Sequence, residues 1–268
     1  MPHSTCRSGN GFRPGYRNRR SLLGSSGSIR SHNSSDTIHG VWDALDAAGA
    51  VYDDSAHGRI PNFRGADEVA ARLAELDGWK DANVIKAVPD KAQLPVRVRA
   101  LSEGKLVYMA VPKLAALKPF YLLDPAALPV SPQEAATSRV AATIAPMVEV
   151  DSLRPVDVVV LGSVAVNRDG ARIGKGAGYS DLEFALLTEA GLIGPSTLVV
   201  TTVHSLQAID TPIPVTDHDV KVDLVITPDE VIECTDPQRP EGILWDHLVP
   251  AKIAAIPALQ SRMKSAER

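Results

Sequence analysis

The feature that most constrains this chain is a glycine-rich run at residues 174–178, which stands between an apolar run and a helical segment. The apolar run Val156–Leu161 (VDVVVL) is typical of a strand buried on both faces of a parallel sheet. Glycine at every second position permits positive φ angles and lets several backbone N–H groups face one anion. A strand, a glycine loop and a helix N-terminus in this order predict a phosphate-binding turn.

The helix after the loop and the charges around it support the same prediction. Ser180, with Glu183 three residues later, has the pattern of a capping box, and Gly191 ends the helix. We predict Arg172 and Lys175 as catalytic residues that neutralise phosphate charge, and Asp181 in the first helical turn as a magnesium ligand. The predicted nucleotide-binding residues are Arg172, Gly174, Lys175, Gly176, Ala177, Gly178 and Tyr179.

Residue spacing excludes two common nucleotide motifs. A Walker loop requires Ser or Thr after its Gly-Lys pair, but Gly176 follows Lys175. A dinucleotide fingerprint requires a third glycine three residues after Gly176, where Tyr179 stands. Two alternatives stay open: a flexible surface hairpin that turns at Asp169-Gly170, and a Tyr179 ring that packs in the core instead of on a nucleotide.

The alternation of strands and helices predicts the fold class. Apolar runs at 197–203 and 222–227 predict further buried strands. Apolar residues at helical spacing predict helices at 37–48, 66–77 and 135–144. This order predicts a three-layer α/β protein, in which an open, mainly parallel sheet has helices on both faces.

The first 36 residues differ from the rest in composition. They are rich in Ser, Gly, Arg and Asn, and the first 35 contain six arginines and no acidic residue. We predict a disordered, solvated tail over residues 1–36, followed by a single domain over residues 37–268. An organellar transit peptide and a nucleic-acid-binding arm are the alternatives for the tail.

Composition narrows the functional class. The net charge is −4, so the part after the arginine-rich tail is more acidic than the total and repels nucleic acid. No stretch approaches the roughly 18 apolar residues of a membrane-spanning helix. Cys6 and Cys234 lack metal-ligand spacing and fit a reducing compartment. We expect a cytoplasmic protein with a small-molecule substrate and with neither a membrane nor a nucleic-acid partner; the oligomeric state stays open.

The glycine loop resembles the signature of the 5-formyltetrahydrofolate cyclo-ligase family, the methenyltetrahydrofolate synthetases. The family pattern reads Pro-x-x-Ala-Phe-Asp-x-x-Gly-x-Arg-Leu-Gly-x-Gly-x-Gly-Tyr-Tyr-Asp-Arg. The residues that match it are Ala165, Gly170, Arg172, Gly174, Gly176, Gly178, Tyr179 and Asp181, with Ile173 in place of Leu. The resemblance covers about residues 85–235, because the segments at 104–114 and 217–228 are also similar to strands of the family.

The chain departs from the family pattern at four loop positions. The family has Phe, Asp, a second Tyr and a final Arg where this chain has Val166, Asn167, Ser180 and Leu182. The family's N-terminal helix carries Lys-x-x-x-Arg, whose charges reach the nucleotide, whereas residues 37–48 contain no Lys or Arg. The chain therefore resembles a divergent, cyclo-ligase-like branch. Five basic residues elsewhere in the chain are candidates to replace these missing charges, and the sequence does not rank them: Arg64, Arg97, Arg99, Lys113 and Lys118.

The resemblance implies a ligase that uses ATP and magnesium. In the family reaction, the formyl oxygen of 5-formyltetrahydrofolate attacks the γ-phosphorus of MgATP. The second folate nitrogen then displaces phosphate and closes the ring to 5,10-methenyltetrahydrofolate. Such a transfer depends on positioning and charge neutralisation. Two alternatives stay open: an enzyme with the same loop that acts on another phosphorylated or pterin-like metabolite, and a non-catalytic protein that retains the fold.

Several other residues suggest function but have ordinary structural explanations, which we favour. We expect His204 to be a structural histidine, residues 217–219 to form a hydrogen-bonded turn, and Trp245 to dock the C-terminal tail. Cys234 shows no sign of being a nucleophile. We expect ordinary core positions, in preference to a folate-binding wall, for Phe63, Met109, Phe120 and Tyr121.

Overall fold

The computed structural model describes residues 26–235 and 237–266. The strands in chain order are β1 (Val84–Ala87), β2 (Leu106–Ala110), β3 (Phe120–Leu123), β4 (Met147–Val148), β5 (Val158–Leu161), β6 (Ala165–Asn167), β7 (Arg172–Ile173), β8 (Leu198–Thr202), β9 (Ala208–Ile209), β10 (Leu224–Ile226) and β11 (Val231–Glu233). The helices are α1 (Ser26–Ala47), α2 (Ala66–Ala74), α3 (Asp77–Lys80), α4 (Leu94–Ser102), α5 (Pro132–Ala135), α6 (Ser138–Ile144), α7 (Tyr179–Glu189), α8 (Pro250–Ala255) and α9 (Pro257–Ala266).

Within the described residues, eight strands form one sheet in the order β11-β10-β8-β5-β1-β2-β3-β4. The five central strands, from β10 to β2, are parallel, and the strands at both edges are antiparallel. A small second sheet has the order β7-β6-β9. The fold class predicted from the sequence, an open and mainly parallel α/β sheet, is confirmed.

The strand order reverses between β1 and β5. The chain runs from β1 to β2 on one side, and from β5 to β8 on the other. In an open parallel sheet, the crevice outside the carboxyl ends of such a strand pair is where ligands bind. Two turns meet there: the one that follows β1 and reaches Asp90, and the one that follows β5 at Gly162.

Alternate residues of the central strands face opposite layers, which explains the uninterrupted apolar runs. Val158 and Val160 pack into the core on one face of the sheet, whereas Val159 and Leu161 pack into the core on the other. All four side chains are fully buried. Both faces are therefore covered, as expected for a parallel sheet.

The structure corrects several boundaries. Helix α1 begins at Ser26, so residues 26–36 are helical, although the sequence placed them in the tail; residues 1–25 of that tail lie outside the described residues. Once residues 37–47 are packed, adding further turns costs little, even in a polar sequence. The helix predicted at 135–144 is two helices, because Thr137 caps a new one through its side chain.

The central strand β1 was not recognised from the sequence. It is only four residues long and contains Lys86, so its pattern does not resemble the apolar runs of β5 and β8. All four of its side chains are nevertheless buried.

Candidate functional site

A cavity of about 70 Å³ lies at the strand-order reversal. Asp90 enters it from the end of β1 and Gly162 from the end of β5. The glycine loop and the first turn of α7 complete the walls. A Cβ atom on Gly162 would lie 3.2 Å from Oδ2 of Asp90, so this close approach of the two turns favours glycine. All of the predicted site residues except Gly176 line this cavity, at the expected edge of the sheet.

A β-hairpin, β6 to β7, delivers Arg172 to this cavity. Oδ1 of Asn167 accepts the backbone N–H groups of Asp169 and Ala171, which fixes the turn. Gly170 has a φ of 81°, and a Cβ there would lie 2.4 Å from the carbonyl oxygen of Val222. The hairpin considered as an alternative therefore exists, and it forms part of the site.

The glycine loop leads directly into α7. Gly176 and Gly178 have positive φ angles of 86° and 66°, and Gly178 is the N-cap residue. The predicted capping box is wrong: α7 begins at Tyr179, no side chain caps it, and Glu183 turns inward. The first N–H groups of this helix have no partner within the helix, so they are available to an anion.

Arg172 is nearly buried, with 4% of its side chain exposed. Its Nη2 atom lies 2.6 Å from Oδ1 of Asp181, and its Nη1 atom lies 3.4 Å from the carbonyl oxygen of Gly162. Its Nε atom is buried and has no hydrogen-bond partner among the described residues. One edge of the guanidinium is therefore fixed, while one buried donor is left unused.

Lys175 is more exposed than Arg172, with 46% of its side chain accessible. Its Nζ atom lies 3.5 Å from Oδ1 of Asp90. The two predicted cations are thus each matched by a carboxylate that lines the same cavity. Sequence reasoning missed Asp90, because nothing in the chain order places residue 90 beside residue 175.

Tyr179 is half-buried and faces Lys252 from the C-terminal part of the chain. Nζ of Lys252 lies 3.7 Å from the centre of the Tyr179 ring and 2.7 Å from the carbonyl oxygen of Ala177. Such a position over the ring face is a cation–π contact. Lys252 therefore adds a positive charge at the glycine loop.

A buried ion pair lies directly behind the loop. Nζ of Lys86 on β1 lies 2.5 Å from Oε2 of Glu183 on α7, and neither side chain is more than 5% exposed. Burial raises the pKa of Glu183, while the neighbouring Lys86 opposes this shift. The pair ties the helix of the loop to the central strand. A lysine inside an apolar segment was the only sequence signal for it.

The similarity to a known protein family spans the residues of this site. The model of the 5-formyltetrahydrofolate cyclo-ligase family matches residues 28–228.

The chain belongs to this family.

Its relatives include proteins named methenyltetrahydrofolate synthase domain-containing protein. The mouse protein is 37% identical over 226 residues, which is 82% of this chain and 60% of that protein. The zebrafish (Danio rerio) protein is 36% identical over 238 residues, 84% of this chain and 60% of that protein. The chain thus spans about 60% of the length of the curated relatives that it matches.

A solved structure has a similar fold. The NMR structure of 5,10-methenyltetrahydrofolate synthetase from Aquifex aeolicus superposes with a TM-score of 0.50 at 22% identity, covering 82% of this chain and all of that chain. The resemblance read from the loop is confirmed. The description of the matching family, a cyclo-ligase, agrees with the expectation of a ligase-type enzyme. Among the residues described, no helix is long and apolar enough to cross a membrane.

Two positions at which the chain departs from the family pattern have defined roles. Asn167 fixes the hairpin turn through its side-chain oxygen. Leu182 is buried under the C-terminal segment, where it packs with Ile243 and Leu259. These departures therefore belong to the local packing of this chain, and they leave Arg172 and Asp181 facing each other.

The proposed replacements for the family's N-terminal charges mostly have structural partners. Arg97 is buried and donates to the carbonyl oxygens of Val88, Asp90 and Ala136, and burial lowers its pKa to about 10. Arg64 donates to the carbonyl oxygen of Gly49. Arg99 pairs with Glu103, the C-cap residue of its helix. Lys91 is not one of these candidates; it directly follows Asp90 in the chain but pairs with Asp53.

The remaining candidates have the ordinary roles that the sequence favoured. Nδ1 of His204 accepts the backbone N–H of Leu206, and burial lowers the pKa of His204. Oδ2 of Asp219 accepts the N–H of Thr216, which closes a turn. Burial raises the pKa of Cys234 to about 11, so its thiol stays protonated.

The large apolar residues also lie in the packed interior. Trp245 packs against the C-terminal core cluster. The four residues weighed as a folate-binding wall are core residues: Phe63, Met109, Phe120 and Tyr121.

The part of the chain that the structure describes contains no cluster of three or more His, Cys, Asp or Glu side chains arranged for a metal.

Proposed function

We propose that this chain is an ATP- and magnesium-dependent enzyme that converts 5-formyltetrahydrofolate to 5,10-methenyltetrahydrofolate. The observation that carries the proposal is the Arg172–Asp181 pair beside a glycine loop, at the N-terminus of α7 and at the strand-order reversal. Family membership supports the folate half of the proposal. The loop and its charges support the nucleotide half.

The loop suits the phosphates of a nucleotide. Gly176 and Gly178 have the positive φ angles that turn successive N–H groups toward one point. The N-terminal dipole of α7 favours negative charge at the same place. The unpartnered Nε atom of Arg172 is a buried donor that a phosphate oxygen would satisfy.

The charge balance of the cavity suits a magnesium complex better than a free polyphosphate. Arg172 and Lys175 are each matched by a carboxylate, so these four side chains carry no net positive charge. Asp181, with Asp90 in the same cavity, offers carboxylate oxygens, and Mg²⁺ is commonly bound by one or two carboxylates together with phosphates and water. When bound, Mg²⁺ supplies the charge that neutralises the transferring phosphoryl group.

The protein side chains contribute positioning and charge. Arg172 is held by Asp181 and by the carbonyl oxygen of Gly162, so its orientation is set before a ligand arrives. Lys175 lies at the exposed rim and can follow the phosphates as they move. Neither role requires a proton acceptor, which agrees with a transfer that depends on electrostatics.

An absorbance assay for 5,10-methenyltetrahydrofolate tests the proposal with purified protein, 5-formyltetrahydrofolate and MgATP. We expect turnover by the wild type and its loss in Arg172→Ala and in Asp181→Asn. Arg168→Ala is the matched control, because Arg168 lies in the same hairpin but is 55% exposed and pairs with Glu230.

The outcomes separate the two halves of the proposal. Turnover by the wild type and by the control Arg168→Ala, but by neither Arg172→Ala nor Asp181→Asn, supports both halves. A wild type that is inactive, but whose melting temperature MgATP still raises, would refute the folate substrate and leave a nucleotide-dependent enzyme with another substrate. A wild type that is inactive and unaffected by MgATP would refute both halves.

A further inference from the structure

The C-terminal part of the chain adds a second wall to the phosphate site. The family match ends at residue 228, and residues 240–266 lie beyond it. Ile243, Ile256 and Leu259 from this part are buried against Leu182 and Leu186 of α7. The C-terminal segment is therefore packed on the helix whose N-terminus faces the glycine loop.

A cavity of about 160 Å³ lies between α7 and the C-terminal segment. Its apolar lining includes Leu182 and Ala185 from the helix, and Leu244 and Leu248 from the segment. Leu244 and Leu248 are only half-buried, so apolar surface remains accessible inside it. A cavity of about 150 Å³ is large enough for an aromatic ring.

This cavity adjoins the phosphate cavity. Both are lined by Ala177, Gly178 and Asp181. Lys252 lies on the shared boundary, where its Nζ bonds the carbonyl oxygen of Ala177. A ligand with a phosphate group on the loop would need only a short linker to place another part between α7 and the C-terminal segment.

The lining indicates the chemical class of that other part. The lining is mainly apolar, and it includes the rings of His218 and His247, whose centres lie 5.8 Å apart. Mainly apolar walls with a few polar groups are typical of small-molecule and cofactor sites, and such walls suit a flat heterocyclic ring. A nucleotide has such a ring and carries it on the same molecule as its phosphates.

We propose that the cavity between α7 and residues 240–252 binds the base of the nucleotide whose phosphates lie on the glycine loop. This inference rests on the proposed nucleotide site and assigns to the segment beyond the family match a role in ligand binding. It predicts that the base contributes to affinity through this segment, independently of the phosphate contacts of Arg172.

The test compares MgATP with magnesium tripolyphosphate, which lacks the whole nucleoside, by calorimetric titration of the whole chain; the cavity variants then locate the part of the nucleoside that contributes. Leu248→Gln and Leu244→Gln make the cavity wall polar without changing the charge. Val249→Gln is the matched control, because Val249 is adjacent to Leu248 but 63% exposed and does not line the cavity. Thermal unfolding of each variant confirms that it is folded.

We expect the wild type to bind MgATP at least tenfold more tightly than magnesium tripolyphosphate. Both cavity variants should weaken MgATP binding about tenfold and change tripolyphosphate binding less than twofold, whereas Val249→Gln should change neither. Equal affinity of the wild type for the two probes would overturn the inference and leave the phosphate site intact.

The other outcomes also decide the question. Equal loss of both probes in the cavity variants would overturn the inference, because the segment would then act on the loop and not on the base. Weaker binding of 5-formyltetrahydrofolate with unchanged MgATP binding would overturn it in favour of the folate ring. A wild type that binds neither phosphate probe would refute the proposed nucleotide site itself, and the inference with it.

Discussion

The Nη2 atom of Arg172 lies 2.6 Å from Oδ1 of Asp181, and the same oxygen accepts the backbone N–H of Val220 at 3.2 Å. One carboxylate therefore joins the β6–β7 hairpin, the first turn of α7 and the loop before β10. The hydrogen bond joins a guanidinium to a carboxylate and is therefore charge-assisted, and the burial of Arg172 shields it from water. The geometry depends on the forked guanidinium, which contacts Asp181 and the carbonyl of Gly162 together.

Arg172→Lys should therefore weaken MgATP binding although it keeps the positive charge. A lysine has a single charged nitrogen and does not reproduce the two fixed contacts, so we expect at least a tenfold rise in Kd, or about 1.4 kcal/mol. Arg168→Lys, in the exposed part of the same hairpin, should leave the Kd unchanged. Calorimetric titration with MgATP measures both values, and an unchanged Kd in Arg172→Lys would contradict the role of the fork.

Gly176→Ala should lower the free energy of unfolding and weaken MgATP binding, whereas Gly174→Ala should leave both nearly unchanged. Gly176 has a φ of 86°, where an alanine costs about 1–2 kcal/mol. Gly174 does not have a positive φ, and a Cβ atom at that position would lie 3.8 Å from its nearest neighbour, Nη1 of Arg172, which is an ordinary contact distance. Urea unfolding and MgATP titration of both variants test this contrast. Equal effects of the two substitutions would show that backbone conformation does not limit the loop.

Lys86→Met should strongly destabilise the fold. It leaves the fully buried Glu183 without its partner, and breaking a buried pair in this way costs about 3–5 kcal/mol. The double variant Lys86→Met/Glu183→Leu should recover much of this loss, because it removes both charges from the interior. The free energy of unfolding in urea checks both. A double variant as unstable as the single one would mean that the pair itself, and not the unpaired charge, holds α7 on β1.

The same carboxyl gives stability a dependence on pH. Burial raises the pKa of Glu183 above its ordinary value of 4.5, and Asp90 adds to this shift while Lys86 and Arg172 oppose it. The folded chain therefore holds this proton more tightly than the unfolded chain. Its contribution to stability is complete below pH 4.5 and is lost as the pH rises through the folded pKa. The difference in unfolding free energy between the wild type and Glu183→Gln should fall with rising pH, and parallel curves would contradict this sign.

Lys252→Met should weaken MgATP and magnesium tripolyphosphate equally. The Lys252 ammonium lies at the glycine loop and has no carboxylate partner among the described residues, so it adds net positive charge there. We expect a three- to tenfold rise in Kd for both probes, on the order of 1 kcal/mol. Lys80→Met on α3 removes the same charge away from the loop and serves as the control. Loss of MgATP binding alone would place Lys252 at the base and not at the phosphates.

Much of the fold and of the loop could be predicted from the sequence. The apolar runs predicted β5, β8 and β10, because a strand covered on both faces needs apolar residues throughout. The glycine spacing predicted the loop, because positive φ angles select glycine locally. The capping box was misread, because the local pattern of Ser180 and Glu183 did not reveal that Lys86 draws Glu183 into the interior.

The sequence by itself therefore determined the elements whose physics is local: which runs are buried strands, where the chain turns on glycine, and which charges flank that turn. Only the tertiary structure decided which distant residues share the site. Asp90 faces Lys175 because β1 and β5 are neighbours at the strand-order reversal. Lys252 reaches Tyr179 because the C-terminal segment packs on α7. Such contacts depend on which surfaces are buried against each other, and that is a property of the whole chain.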